Sequence, residues 1–277
     1  MTADIVAHMA EFVRDTEFIF FSSVSKCWRN AWGKRPTTSR AITDKTTVSQ
    51  LSFCFDCGLR RRRGLCEAIA RLGKLLLLQC ARQRGCPWSS DTCARAAEGG
   101  NLRLLKWARA NGCPWNARTC TGAAREGHQR ILRWAWENGC NWGASTCAAA
   151  APAAEGELEV LQWARANGCP WSVNTTTGAA RGGNLDVLKW ARANGCPWDT
   201  GTTTWSATLG HLDVLEWAHA NGCPWDETTC SGAARRGHLE VLQWARAHGC
   251  PWDHETPKQA ASCGHMFVVD WAEANGC

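Results

Sequence analysis

The stretch Cys196–Gly222 reads CPWDTGTTTWSATLGHLDVLEWAHANG, and its residue order returns along most of the chain. The loop cysteine recurs at Cys86, Cys113, Cys140, Cys169, Cys196, Cys223, Cys250 and Cys277, at intervals of 27, 27, 29, 27, 27, 27 and 27 residues. A fixed period of this size marks a repeat array. One unit cannot bury its own apolar face, so neighbours stack to make a continuous core.

Each unit encodes two helices. Six residues after the loop Cys stands a Thr (Thr92, Thr119, Thr146, Thr175, Thr202, Thr229, Thr256), read here as an N-cap. A short run of small residues follows, such as Cys120-Thr121-Gly122-Ala123-Ala124. Gly127, Gly183, Gly210, Gly237 and Gly264 then end the first helix. In the second, Leu239, Leu242 and Ala245, with Val241 and Trp244 beside them, form one apolar stripe opposite Glu240, Gln243 and Arg246. Gly249 closes it and Pro251 prevents its resumption.

Thr-x-x-x-Ala-Ala, then Gly-His-Leu-Glu-Val-Leu, then a closing Gly resembles the ankyrin repeat. Thr229–Gly249 and Thr256–Gly276 carry the resemblance most fully, and Thr256-Pro257 matches the family's Thr-Pro pair. It covers residues 60–277 and implies an all-α solenoid of stacked helix-turn-helix units that binds protein. The unit departs from the family in length, falling short of the ~33 residues of an ankyrin repeat. The shortfall lies in the inter-repeat loop, which reduces the family's β-hairpin finger to a turn. The family's Leu-His after Thr-Pro is replaced by Lys258-Gln259, so nothing that depends on that His carries over.

Residues 1–33 stand outside the period. Ile5-Val6, Met9, Phe12-Val13, Phe18-Ile19-Phe20-Phe21 and Val24-Ser25-Lys26-Cys27-Trp28-Arg29 describe short amphipathic helices. Val24–Arg29 resembles the core of the F-box, although Thr2-Ala3-Asp4 stands where that family opens with Leu-Pro. The resemblance implies docking to a Skp-family adaptor of a cullin–RING ubiquitin ligase, with contacts around Ile5, Met9, Phe12, Phe18 and Val24. These residues could instead cap the array, since a terminal unit must hide its outer face. Residues 34–58 are a degenerate repeat or a linker. Counting back by the period sets Thr38 on the Thr register, Val48, Leu51 and Phe53 on the second-helix stripe and Gly58 on the closing Gly. Cys54 and Cys57 would lie one turn apart there, but no second pair accompanies them for zinc. The clear array runs over 59–277. Cys140–Gly168 carries two extra residues, and Pro152 is expected to kink or extend its first helix. At the other end Met266, Phe267, Val268, Val269 and Trp271 precede no polar cap, so either this end pairs with another molecule or the chain continues.

Composition narrows the function. Of 18 Trp, seven form a helix column (Trp107 to Trp271) and seven a loop column (Trp88 to Trp252). Either they stack bases or sugars, or they fill the gaps between units, as a periodic aromatic stripe usually does. The 18 Cys fall in register, the loop Cys standing where the ankyrin family has Ala, and are read as small buried hydrophobes rather than disulfides or zinc ligands. Met1–Phe21 is broken by Asp4, His8, Glu11, Arg14, Asp15 and Glu17, unlike a secretory leader. No stretch approaches the ~18 apolar residues of a membrane span. A cytoplasmic or nuclear setting is expected, without a membrane partner. The net charge is +6 overall, but +8 over residues 1–85 and −2 over 86–277. Arg60–Arg63 could be a nuclear address, a nucleic-acid patch or a solvated loop. A near-neutral array argues against nucleic acid lying along it. Nucleophile, zinc-protease, phosphate and dinucleotide motifs are absent, so no catalytic residue, metal or cofactor is expected. Four His (His128, His211, His238, His265) follow the first-helix Gly and are expected to bond locally.

The expected role is therefore protein binding, as a substrate receptor for a ubiquitin ligase or as a plain interaction scaffold. A nucleic-acid role for the basic N-terminal third is a third class. The target contacts should lie where the frame varies. One such place is the turn after the loop Trp, as at Arg118. Another is the exposed side of the first helix, as at Arg95, Gly122, Trp205 and Gln259. The third is that helix's end, as at Glu98, Arg125 and Arg235. Trp205 stands out as a hot-spot candidate.

Overall fold

The computed structural model describes residues 45–56, 61, 63–152 and 157–277. The F-box-like segment, with Ile5, Met9, Phe12, Phe18 and Val24, lies outside them, as do Thr38, Cys57, Gly58, Arg60 and Arg62. Among the described residues every regular element is an α-helix. These are α1 (Val48–Asp56), α2 (Arg63–Arg71), α3 (Leu75–Gln83), α4 (Ser90–Glu98), α5 (Leu102–Ala110), α6 (Ala117–Arg125), α7 (Gln129–Glu137), α8 (Ala144–Ala150), α9 (Glu157–Ala166), α10 (Val173–Gly182), α11 (Leu185–Ala193), α12 (Thr200–Thr208), α13 (Leu212–Ala220), α14 (Glu227–Arg235), α15 (Leu239–Ala247), α16 (Glu255–Ser262) and α17 (Met266–Ala274).

Two compact units emerge, one of residues up to 119 with 130–140, the other of 120–129 with 141–277. In the first, α2 packs on α4, each first helix packs on its own second helix, and α1 packs on α3. In the second, the first helices α8, α10, α12, α14 and α16 pack in succession, and each packs on the second helix that follows it. Small residues permit this close approach. Ala179, Ala180, Ala207, Ala233, Ala234 and Ala260 are all fully buried. Leu188, Leu215 and Leu242 fill the space behind them, also fully buried, on the stripe the spacing predicts.

Both helices of a unit end in the same way. The Cys223 N–H bonds back to Ala218 O at 2.9 Å and Gly222 N–H to His219 O at 3.0 Å, with Gly222 at φ +80°. This pairing consumes carbonyls the helix leaves unpaired and needs a left-handed residue, which glycine adopts without strain. The first helix α12 closes likewise through His211 N–H to Ser206 O at 2.9 Å.

Four expectations are corrected. The N-cap is the residue after the loop Trp, not the Thr. Ser172 Oγ accepts from Asn174 N–H at 3.3 Å, and Asp199, Asp226 and Asp253 accept from the residue two positions on at 3.0 Å each. The Thr lies three residues further on, already helical and buried. In the degenerate unit Val48 is exposed, and Leu51, Cys54 and Phe55 form the buried face of α1. Pro152 neither kinks nor extends α8. That helix stops at Ala150, and Pro152 seats its backbone against Gly182, where any Cβ would come within 2.2 Å of its carbonyl oxygen. The His after the first-helix Gly bonds outside its own unit. His211 Nε2 donates to Arg181 O at 3.3 Å, thirty residues back. Asn101 Nδ2 fills the same role toward Arg71 O at 3.1 Å.

Candidate protein-binding surface

Most polar and aromatic groups of the frame are spent on holding it. Loop and helix tryptophans meet edge to face, with ring centroids 5.5–6.1 Å apart from Trp88–Trp107 to Trp252–Trp271. Over the outer face of the loop ring lies the arginine of the preceding second helix. Arg82, Arg165 and Arg192 stand 4.0 Å, and Arg109 and Arg246 4.2 Å, from the centroids of Trp88, Trp171, Trp198, Trp115 and Trp252. The same guanidinium donates to the loop cysteine's carbonyl, as from Arg165 Nη1 to Cys169 O at 2.8 Å. One face of each of these loop rings is thus covered, and they are bound up in packing. His219 replaces arginine in one unit and stacks on Trp225 with centroids 3.9 Å apart.

The loop thiols are also committed. Cys113, Cys196, Cys223 and Cys250 each donate across 3.5 Å to the carbonyl of the N-cap residue 24 positions back. Burial pushes the Cys223 thiol up to about 12 and the Cys196 thiol up to about 11. The buried Thr119, Thr175, Thr202, Thr229 and Thr256 hydroxyls have no nitrogen or oxygen partner among the described residues. Thr175, Thr202 and Thr256 face Cys196, Cys223 and Cys277 instead.

The remaining positions differ in what they offer. Arg95 is held by Glu98 at 2.7 Å on its own helix. Arg118 is held by Asp91 at 2.6 Å, one unit earlier. Arg125 and Arg235 end α6 and α14, both exposed. The register of Trp205 is not a solvent face in its neighbours. Gly122 is buried, a Cβ on Gly178 would meet Ala148 O at 2.8 Å, and one on Gly232 would meet Thr208 Oγ1 at 2.3 Å. Gly178 and Gly232 let the adjoining first helices close up, while Arg95, Ala149 and Gln259 stand in this register elsewhere. In α12 the register holds Trp205, 37% exposed, with Arg181 of α10 lying 4.5 Å from its ring centroid. The geometry therefore unites Trp205 with Arg181. The signal for it was the spacing of 24, the offset that also joins loop thiol to cap carbonyl.

Arg61 and Arg63 are exposed, and Arg63 opens α2. Among the described residues no cluster of three or more His, Cys, Asp or Glu is placed to hold a metal, and no helix is long and apolar enough to cross a membrane. Comparison of the chain with protein-family models and with curated proteins gives no match to either.

Proposed function

We propose that the chain is a protein-recognition module of short ankyrin-like repeats stacked as a solenoid, and that its N-terminal segment is F-box-like and carries the module to a Skp-family adaptor of a ubiquitin ligase. One observation carries the recognition half. The frame's own Trp, Arg, Cys and cap residues are tied into packing, while Trp205 with Arg181 puts a large aromatic at the surface in a register where both adjoining units carry glycine. An amphipathic ring backed by a cation supplies apolar area at low entropic cost, the usual makeup of a binding hot spot. Arg235, exposed at the end of α14, adds a positive group within the same compact unit. The ligase half rests on Val24–Arg29 alone.

Affinity capture of the whole chain, with and without residues 1–33, tests both halves. The adaptor is expected only with the longer chain, and the target with both. Loss of the adaptor from neither, or its absence from both, removes the ligase link and leaves an interaction scaffold.

A further inference from the structure

Five units carry a thiol on the first helix and a loop thiol closing the second: Cys66 with Cys86, Cys93 with Cys113, Cys120 with Cys140, Cys147 with Cys169 and Cys230 with Cys250. In the unit of α8 the two sulfurs, Cys147 and Cys169, meet directly. Both are buried and free. The Cys147 thiol donates to Cys169 Sγ across 2.9 Å. That is well inside ordinary non-bonded contact of about 3.5–4.0 Å. It is within an ångström of the ~2.04 Å of a disulfide. Two further units show the position without its second thiol. Thr176 and Thr203 occupy the first-helix register, and their hydroxyls donate to Pro197 O and Pro224 O at 3.0 and 2.9 Å. The fold therefore accepts Thr there, and a thiol pair is a property of particular units rather than a demand of the packing.

We propose that Cys147–Cys169 is a reversible dithiol–disulfide site, closed within its own unit by hydrogen peroxide. The loop sulfur is the nucleophile. It receives the hydrogen bond from Cys147, which favours its thiolate and holds the Cys169 thiol below its ordinary value, with Arg165 acting in the same sense. The Cys169 thiolate attacks one peroxide oxygen and the O–O bond breaks. Hydroxide leaves and takes up the proton that Cys169 shed, giving water and a sulfenic acid on Cys169. The Cys147 sulfur then attacks Cys169 Sγ, the S–O bond breaks, and the hydroxyl departs as water with the Cys147 proton. Two electrons pass from the sulfurs to peroxide, so two thiols and one peroxide give one disulfide and two waters. Peroxide is near water in size and reaches the buried pair through local opening of the unit. A thiol reductant reverses the step.

The test uses the full chain. It is treated with hydrogen peroxide, free thiols are alkylated under denaturing conditions, and non-reduced peptides are mapped by mass spectrometry. A Cys147–Cys169 link is expected, lighter by two hydrogens and restored to free thiols by dithiothreitol, with Cys196 and Cys223 alkylated. Cys147→Thr borrows the residue of Thr176 and Thr203, keeps the fold by circular dichroism, and is expected to lose the Cys147–Cys169 link alone. Thr176→Cys is expected to gain a link to Cys196. The proposal is overturned if Cys147 and Cys169 stay alkylatable while exposed Cys263 is oxidised, or if Cys196 and Cys223 cross-link as readily as that pair.

Discussion

Trp205 and Thr229 reverse the usual placement, an aromatic ring partly exposed and a hydroxyl fully buried. Where neighbours need Gly178 and Gly232 for close helix approach, Trp205 turns its ring outward under Arg181. Removing the ring should cost little fold stability and much binding. Trp205→Ala is expected to weaken target capture by about 2 kcal/mol or more, with an unchanged thermal midpoint. A mutant that loses binding only as it unfolds would make the residue core. Thr229 is the converse, a polar group fully buried with no nitrogen or oxygen partner for its hydroxyl among the described residues. A buried, unmade hydrogen bond contributes nothing to offset its desolvation. Thr229→Val should therefore leave stability within about 1 kcal/mol of the parent or raise it. A loss of about 1–3 kcal/mol on urea unfolding would show that the hydroxyl is satisfied after all.

At the scale of the helix pair, the columns of Arg and His are the cross-unit joints. His219 stacks on Trp225 where other units place an arginine that both stacks and bonds the loop carbonyl. His219→Arg should restore both contacts and raise stability by about 0.5–1 kcal/mol, read as a shift of the denaturation midpoint. His238 donates to the backbone of Thr208, and burial with His211, His265 and Arg236 nearby holds its ring below the ordinary histidine value. The unfolded chain then takes the proton first as pH falls. Stability from this site is full above about pH 6.5 and declines below it, toward the lower folded value. Asn101 and Asn184 fill the same register, so His238→Asn keeps the donor and removes the titration. The variant should lose less stability than the parent between about pH 7.5 and about pH 5. Equal losses would sink the assignment.

The pairs themselves were legible, because a period of 27 with glycines at fixed places states where each helix stops. The cap was not. A hydroxyl three residues into a helix and one at its cap look alike in sequence, although Ser, Asn and Asp after the loop Trp are the usual capping residues. The partner of Trp205 was hidden for another reason. Its contact with Arg181 spans 24 residues rather than the period, as the bonds from loop cysteine to cap carbonyl also do.

For the whole molecule the distribution of charge and apolar surface separates two tasks. The chain carries net +8 before residue 86 and net −2 after it, so the array lacks the field that would draw it along a polyanion. On the proposed F-box-like reading, Ile5, Met9, Phe12 and Phe18 are the residues that would meet an adaptor. Docking of that kind desolvates the side chains completely, so a carboxylate introduced there would be buried without a cation or a hydrogen-bond donor. Ile5→Asp with Phe12→Asp should abolish co-precipitation of a Skp-family adaptor while target capture by the array persists, because the two changes lie outside the repeats. Adaptor recovery at the parental level, from a double variant with unchanged circular dichroism, would leave residues 1–33 as a cap on the array and the chain as a scaffold. Loss of target capture together with the adaptor would instead show that the segment supports the first units of the array.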